Sequence, residues 1–199
     1  MANKTLSILV AGPDSASTRP LVEGLTEGVS GTGNIRVTAV EGFADLTARA
    51  AALAPDAVVA ALGDADRTTL DGLFRLARSG GCAVVLFADR AEPGVTAAAV
   101  EAGVASFVVD GLRPDRVRPI VDTALSRFAA FETLKRERDE ARTQLAERKL
   151  IERAKGILMQ QKSLTEEQAY TALRKAAMRQ GRRIADIAQS IITASQIEF

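Results

Sequence analysis

The sequence predicts an α/β domain over the N-terminal two thirds of the chain, followed by a long helix and a small all-α module. Two observations lead to this. From residue 6 to about residue 128, short apolar runs alternate with stretches of helical spacing. Further along, no Gly or Pro interrupts the chain between Ile120 and Lys155, so one long helix is permitted there. A length of 199 residues allows one large domain or two small ones, and 47% hydrophobic residues suffice for a core.

Five continuous apolar runs predict the strands of the first domain. They cover residues 6–11, 35–40, 55–62, 83–87 and 106–109, and helical spacing between them predicts helices over 21–29, 43–53, 68–79 and 95–102. Strands that are apolar on both faces, with helices between them, imply a parallel sheet covered on both sides. We therefore expect a doubly wound, flavodoxin-like domain. Periodicity alone leaves other small α/β domains open.

The long helix carries an apolar stripe in steps of three and four residues. The stripe comprises Val117, Val121, Ala124, Phe128, Phe131, Leu134, Ala141 and Leu145. This spacing is typical of a helix that packs on its own domain and then pairs with a second copy, although Arg138 and Arg148 interrupt the seam. Unpaired, Phe128, Phe131 and Leu134 would form an exposed apolar stripe, which favours a homodimer over a solvated helix between domains.

Two further helices are predicted after the long one. Ser163 or Thr165 is a suitable N-cap, with acidic residues following it, and Gly181 is a suitable C-cap for a helix that ends near residue 180. The third helix is predicted over 184–194. Alanine-rich faces suit a tight bundle, in which Tyr170 is expected to pack in the core. The side chains expected to remain exposed are basic: Arg153, Lys155, Lys162, Arg174, Lys175, Arg179, Arg182 and Arg183.

Composition narrows the classes of function. The net charge is +1, so contact with a nucleic acid would have to come from a local patch. The chain has no His, which removes the commonest general base and metal ligand, and its single cysteine, Cys82, can form no internal disulfide. We expect no metal or other cofactor and no catalysis. A buried thiol, no leader pattern and no long apolar window favour a cytoplasmic protein without a membrane segment.

The C-terminal module resembles the ANTAR family of small three-helix RNA-binding domains. The resemblance is carried by three blocks in the right order over about fifty residues. They are Ala154-Lys-Gly-Ile-Leu-Met159, then Glu167, Ala169, Tyr170, Leu173, Arg174 and Ala177, then Ile184-Ala-Asp-Ile-Ala188. It implies binding of leader RNA with paired hairpins and short loops, which prevents terminator formation. The residues expected to contact RNA are Lys155, Arg174, Lys175, Arg179, Arg182 and Arg183, converging near the turn between the last two helices.

The N-terminal domain resembles a two-component receiver that has lost its chemical residues. Receivers hold an acidic pair for Mg²⁺, a phosphoacceptor aspartate, a hydroxyl residue and a lysine. Here Gly12 and Pro13 stand in place of the acidic pair, Ala61 in place of the phosphoacceptor, Ala88 in place of the hydroxyl residue and Asp110 in place of the lysine. Asp64 and Asp66 are expected to be solvated loop residues, as is Asp89. We therefore expect a pseudo-receiver.

The order of the blocks along the whole chain resembles the nitrate- and nitrite-assimilation antiterminators of the NasT type, and the amide-responsive AmiR type shares the architecture. The resemblance implies an antitermination regulator that a ligand-sensing partner protein holds inactive. The expected organisation is a pseudo-receiver over 1–128, a linker helix over 129–147 and an ANTAR domain over 148–199. The rival hypotheses are a phosphorylation-dependent response regulator, a DNA-binding regulator of the same architecture and, less favoured, an enzyme.

Overall fold

A computed structural model describes residues 5–26, 34–64 and 67–195. Within these residues, five strands alternate with four helices and are followed by three further helices. The strands are β1 (Leu6–Gly12), β2 (Ile35–Glu41), β3 (Ala57–Asp64), β4 (Ala83–Arg90) and β5 (Ser106–Val109). The helices are α1 (Ser15–Thr26), α2 (Leu46–Leu53), α3 (Arg67–Ser79), α4 (Val95–Glu101), α5 (Pro114–Lys162), α6 (Glu166–Gln180) and α7 (Ile184–Ser195).

The strands form one parallel sheet in the order β2-β1-β3-β4-β5. This is the doubly wound, flavodoxin-like order, so the predicted fold class is confirmed. Successive side chains of a strand point to opposite faces, and here both faces are covered. Val10, Val59 and Phe87 pack on the side of α1 and α5, whereas Val58 and Leu86 pack in the second core, on the side of α2, α3 and α4.

Helix α5 is longer at both ends than the uninterrupted stretch 120–155, because it includes Pro119 and Gly156. Pro114 begins α5, where a proline is tolerated because the first backbone N–H groups have no intrahelical acceptor. Pro119 lies in the second turn and has no N–H to donate within the helix. The first turns of α5 lie close against α1 at Gly24. A Cβ there would collide with the Pro114 carbonyl oxygen and would lie 2.9 Å from Cβ of Val117. Glycine at position 24 is thus required by the close approach of the two helices.

Helix α6 has both of its predicted ends. Thr165 is the N-cap: its hydroxyl accepts the backbone N–H of Gln168, whose side chain in turn accepts the N–H of Thr165. Of the two predicted caps, Thr165 is therefore the correct one. Gly181 caps the other end with a φ of 60°, in the left-handed region that glycine adopts easily. Ala169, Leu173 and Ala177 on α6 pack with Ala154 and Leu158 of α5 and with α7 to form a separate core.

Three local predictions need correction or lie outside the described residues. Helix α2 begins at Leu46 rather than at residue 43, since Gly42 and Asp45 have positive φ angles. The helix predicted over 21–29 begins earlier, at Ser15, and positions 27–29 are not among the described residues. Asp64 is the last residue of β3 and Asp89 lies within β4, so neither is a loop residue; Asp66 is outside the described residues.

The chain divides into two compact units, Met1–Thr133 and Leu134–Phe199, and α5 contributes to both. The predicted boundaries at 128 and 147 both fall inside this helix. Within residues 5–26, 34–64 and 67–195, no helix is long and apolar enough to cross a membrane. Cys82 is buried as predicted, and burial raises the pKa of its thiol.

Candidate functional site

Five exposed cations of the C-terminal unit lie in the second half of α6 and the turn after it, while Arg153 and Lys162, also exposed as predicted, lie on α5. We call the following five residues the basic surface: Arg174, Lys175, Arg179, Arg182 and Arg183. No Asp or Glu lies between Glu167 and Asp186 in the sequence, and all five cations are exposed. Among the residues that the structure describes, no carboxylate pairs with Arg174, Lys175 or Arg179. These three cations are therefore available to an anionic ligand.

Lys155 is not part of this surface, and its predicted exposure is wrong. Its side chain is 9% exposed, and its ammonium donates to Glu166 at 2.7 Å and to Glu152 at 2.9 Å. Two hydrogen bonds raise the pKa of Lys155: the one to Glu166 has the larger effect and the one to Glu152 the smaller. The hydrogen bond between Lys155 and Glu166 also lowers the pKa of Glu166. Lys155 joins α5 to the first turn of α6, at the opposite end of α6 from the turn at Gly181, so the predicted convergence does not include it.

Arg183 and Arg182 differ from the cations of α6 in having partners. Arg183 donates to Glu147 of α5 at 2.9 Å and lies 3.5 Å from Asp186, yet 72% of its side chain is exposed. Arg182 makes long contacts of 3.4 to 3.5 Å with the Asp186 carbonyl and with the Ser190 and Gln180 side chains. An exposed ion pair such as that of Arg183 contributes little to stability, and the partners of Arg182 carry no charge. Both residues can still contribute to the basic surface.

Tyr170 lies on α6 at the surface, contrary to the prediction that it packs in the core. Its exposed fraction is 43%, whereas its neighbour Ala169 is fully buried. The reason is helical phase: Ala169, Leu173 and Ala177 form the buried stripe, and a residue one position later is turned about 100° away from it. The spacing of these apolar residues was a usable signal for the exposure of Tyr170.

In the N-terminal unit, two of the positions that match the receiver chemistry are apolar and the third carries an acid. Ala61 is 3% exposed, lies in β3 opposite Phe87 of β4 and packs in the core beneath α1 and α5. Ala88 is 4% exposed and packs on the other side of the sheet. Asp110 is exposed with a φ of 50°, just after β5. Across the part of the chain that the structure describes, no three His, Cys, Asp or Glu residues are grouped so as to hold a metal ion.

The edge where an acidic pair would stand is occupied by packing and by a helix cap. A Cβ at Gly12 would lie 2.8 Å from Cγ2 of Thr18, so a longer side chain could fit only if Thr18 moved. Asp14 accepts hydrogen bonds from the backbone N–H and the hydroxyl of Ser17, both at 2.8 Å, and thereby caps α1. These bonds, the backbone one first, lower the pKa of Asp14. Asp14 is therefore a capping residue in this fold.

The apolar stripe on α5 is buried in the N-terminal core at Val117, Val121 and Ala124, and the part that follows Ala124 is largely exposed. Phe131 is 62% exposed, Leu134 64% and Leu145 55%, whereas Phe128 is partly buried. Large apolar side chains spaced three or four residues apart on one helix are unusual on a free surface. The stripe is available for the predicted pairing.

Comparison with known proteins finds a family likeness in the C-terminal unit. Residues 139–192 match the family model of the ANTAR domain. The nitrate regulatory protein of Klebsiella oxytoca is 47% identical over 53 residues, which are 27% of this chain and 13% of that protein. The transcriptional regulatory protein PdtaR of Mycobacterium tuberculosis is 27% identical over 124 residues, covering 62% of this chain and 60% of PdtaR. The chain thus spans less than two thirds of the length of either relative.

Solved structures agree on the fold of the N-terminal unit. A response regulator from Thermotoga maritima superposes with a TM-score of 0.52 at 13% identity, covering 62% of this chain and 99% of that one. The signal receiver domain of a modulated diguanylate cyclase from Desulfovibrio desulfuricans gives a TM-score of 0.53 at 12% identity, covering 64% and 98%. At such low identity the likeness extends to the fold alone.

Proposed function

Because the chain joins a receiver-like domain to an ANTAR domain, we propose that it is a transcription antitermination regulator that binds hairpin-containing leader RNA. In this proposal residues 1–128 form a pseudo-receiver, 129–147 a linker helix and 148–199 the RNA-binding domain. The relatives named as nitrate and transcriptional regulatory proteins support a regulatory role. Nitrate or nitrite assimilation is the proposed setting.

The observation that carries the proposal is the basic surface on a compact three-helix unit. Five cations follow one another along the chain without an acid between them, although the whole chain has a net charge of only +1. Such a local concentration of positive charge suits a nucleic acid, where neutralising each phosphate releases counterions. Arg174, Lys175 and Arg179 have no competing carboxylate among the described residues. The proposed RNA contacts are these three residues with Arg182 and Arg183.

We further propose that control does not use phosphorylation. A phosphoryl group on a receiver needs an acceptor carboxylate, a metal held by acids and a cation to offset the product charge. Ala61 offers no acceptor carboxylate, and Asp110 carries a negative charge where the cation should stand. Thr18 fills the space beside Gly12, where an acid for the metal should stand. A protein partner that senses a ligand and holds the regulator inactive is the proposed alternative. Pairing of two copies along α5, through Phe128, Phe131 and Leu134, completes the proposal.

The test is RNA binding by the Arg174→Ala/Lys175→Ala double variant. A leader RNA with two short-looped hairpins should bind the variant more weakly than wild type at the same salt concentration. Each phosphate contact adds about 0.7 to 0.9 to the steepness of log affinity against log salt concentration. If both cations contact phosphates, the double variant should therefore have a slope that is shallower by about 1.4 to 1.8. Helix content should stay near wild type in circular dichroism, because alanine favours helix and both positions are exposed.

A matched control removes the same charge elsewhere. Arg75→Ala/Arg78→Ala takes two exposed cations from α3 of the N-terminal unit and should leave affinity and salt slope unchanged. If the α6 double variant binds as tightly as wild type, the basic surface is misassigned. Equal affinity of wild type for hairpin RNA and duplex DNA would favour the DNA-binding rival and contradict antitermination.

A further inference from the structure

Three exposed side chains form a stripe on α6 next to its buried face. Tyr170, Arg174 and Met178 follow each other at intervals of four residues, so they are neighbours along one side of the helix. Tyr170 is 43% exposed and Met178 is 73% exposed. With a rise of about 1.5 Å per residue, the stripe is about 12 Å long. That length matches about three to four stacked bases at about 3.4 Å each.

The polar ends of this stripe are not used within the fold. Among the residues that the structure describes, the Tyr170 hydroxyl has no hydrogen-bond partner and Arg174 has no carboxylate partner. An exposed aromatic ring beside an unpaired guanidinium offers two flat surfaces of the kind on which unpaired bases stack. Met178 adds a polarisable thioether, which packs favourably against aromatic rings.

The charge around these three side chains favours RNA over a second copy of the protein as the partner that covers them. The stripe belongs to a stretch of α6 and its following turn with five cations and no acid. Two copies meeting through this face would bring like charges together, which opposes association. A polyanion with unpaired bases satisfies both the charge and the stacking surfaces.

We propose that Tyr170 is a stacking platform for an unpaired base in an RNA hairpin loop, with Arg174 and Met178 extending the platform along the loop. This inference rests on the proposed RNA binding and adds to it the part of the RNA that is recognised. Phosphate contacts by Lys175, Arg179 and the N–H groups of Arg174 fix the position of the hairpin, while the flat face of the Arg174 guanidinium stays available for stacking; the bases of the loop supply selectivity.

The composition of the chain provides a direct readout. Tyr170 is the single tyrosine in a sequence without tryptophan, so tyrosine emission reports on this position alone. Saturating wild-type protein with a two-hairpin RNA should quench this emission. The same RNA with abasic nucleotides in its loops, and a loopless RNA duplex, should leave the emission nearly unchanged. Free N-acetyltyrosinamide titrated with each RNA corrects for absorption of the exciting light.

Affinities of variants complete the test. Tyr170→Leu keeps an apolar side chain but removes the ring, and should weaken binding to intact loops by about 5- to 150-fold, the range for one stacked base. Tyr170→Phe should bind within about twofold of wild type, because the ring persists. Thr171→Ala, at the next exposed position of α6, should have no effect. RNA with abasic loops should bind Tyr170→Leu and wild type with equal affinity, because this RNA has no loop base that could stack on Tyr170.

Each outcome decides the inference. Tyrosine emission that is not quenched at saturating RNA overturns the inference. So does a loss of affinity in Tyr170→Leu that is equal for intact and abasic loops, because it would mean that Tyr170 has a structural role. If Tyr170→Leu has a much lower melting temperature than wild type, two measurements on the wild type still test the inference: the quenching of tyrosine emission and the difference in affinity between intact and abasic loops. A wild type that binds intact and abasic loops with equal affinity leaves the proposed function intact but refutes stacking. A wild type that binds no RNA overturns the proposed function and this inference with it.

Discussion

Lys155 of α5 pairs with Glu152 on the same helix and with Glu166 at the beginning of α6, and the contact between the helices has a consequence for acid stability. Glu166 has a pKa lowered below its ordinary value of 4.5 by the Lys155 hydrogen bond. Because the pKa is lowered in the folded state, ionised Glu166 stabilises the fold fully at pH values above its ordinary pKa. This stabilisation is lost as the pH falls through the folded-state pKa. Glu166 also lies in the first turn of α6, where the helix dipole favours a negative charge.

We therefore expect Glu166→Gln to lower the melting temperature of the C-terminal unit at about pH 7, and the gap from wild type to close toward about pH 3. Circular dichroism melts of the full chain across this range would measure it. Glu167→Gln, at an adjacent exposed position in the same turn, is the control that retains the Lys155 contact. A gap that is equally large at both ends of the range would contradict a role for the ionised Glu166.

Ala61 is the residue through which the proposed loss of phosphorylation can be examined. We expect Ala61→Asp to accept no phosphoryl group from acetyl phosphate with Mg²⁺, because Gly12, Ala88 and Asp110 still lack the metal-binding and charge-compensating groups. The new carboxyl would also enter a site that is 3% exposed, costing about 1–3 kcal/mol of stability.

Intact-protein mass spectrometry and urea unfolding measure the two effects separately. A stable Mg²⁺-dependent acyl phosphate on Ala61→Asp would argue against the pseudo-receiver. A phosphoryl adduct on wild type, accompanied by a change in oligomeric state, would favour the rival of a phosphorylation-dependent regulator acting through another aspartate.

At the scale of elements, α5 presents its exposed apolar stripe for pairing with a second copy. We expect Phe131→Glu or Leu134→Glu to raise the dimer dissociation constant by about tenfold or more, because a charge in an apolar seam must be desolvated. Thr133→Glu adds the same charge at an exposed position off the stripe and should have little effect.

Sedimentation velocity over a concentration series would measure the change in self-association. A wild type that stays monomeric at micromolar concentration would remove the pairing proposal altogether. So would an oligomer that Phe131→Glu leaves unaltered.

The elements show what local pattern can and cannot determine. The bounds of β5 and the caps of α6 follow from a few adjacent residues, and the sequence predicts them correctly. Strands β3 and β4 extend past their apolar runs because they pair with each other as far as Asp64 and Arg90. That extension depends on a neighbouring strand, which no single run reveals.

The same distinction applies to the candidate site. Exposure of the cations on α6 is predictable because the buried stripe of that helix is regular. The burial of Lys155 depends on Glu166, eleven residues away across a turn, and its own charge suggests the opposite. Tyr170 could have been placed correctly from the spacing of Ala169 and Leu173, had its size not favoured the core.

For the whole molecule, pairing through α5 would place two RNA-binding units on one particle. Two linked contacts gain from effective concentration, so a two-hairpin RNA should bind wild type about 10² to 10⁴ times more tightly than a single hairpin. Phe131→Glu should lose most of this advantage while binding single hairpins normally.

Titrations of both RNAs against both proteins, at one salt concentration, would measure the ratio. Equal affinity of wild type for one and two hairpins would mean that each unit acts independently. The basic surface would then remain the site of contact without any contribution from pairing.

Helix α5 contributes Val117 and Val121 to one core and Ala154 and Leu158 to another, while most of residues 125–149 face solvent. Between the cores, the helix persists because it propagates inward from both anchored ends, with little packing of its own. This stretch can therefore unwind locally at lower free energy than either core. It also carries several trypsin sites, among them Arg136 and Arg142. Limited proteolysis would cut there first and release two folded fragments, whereas a companion helix along the stretch would slow the cut.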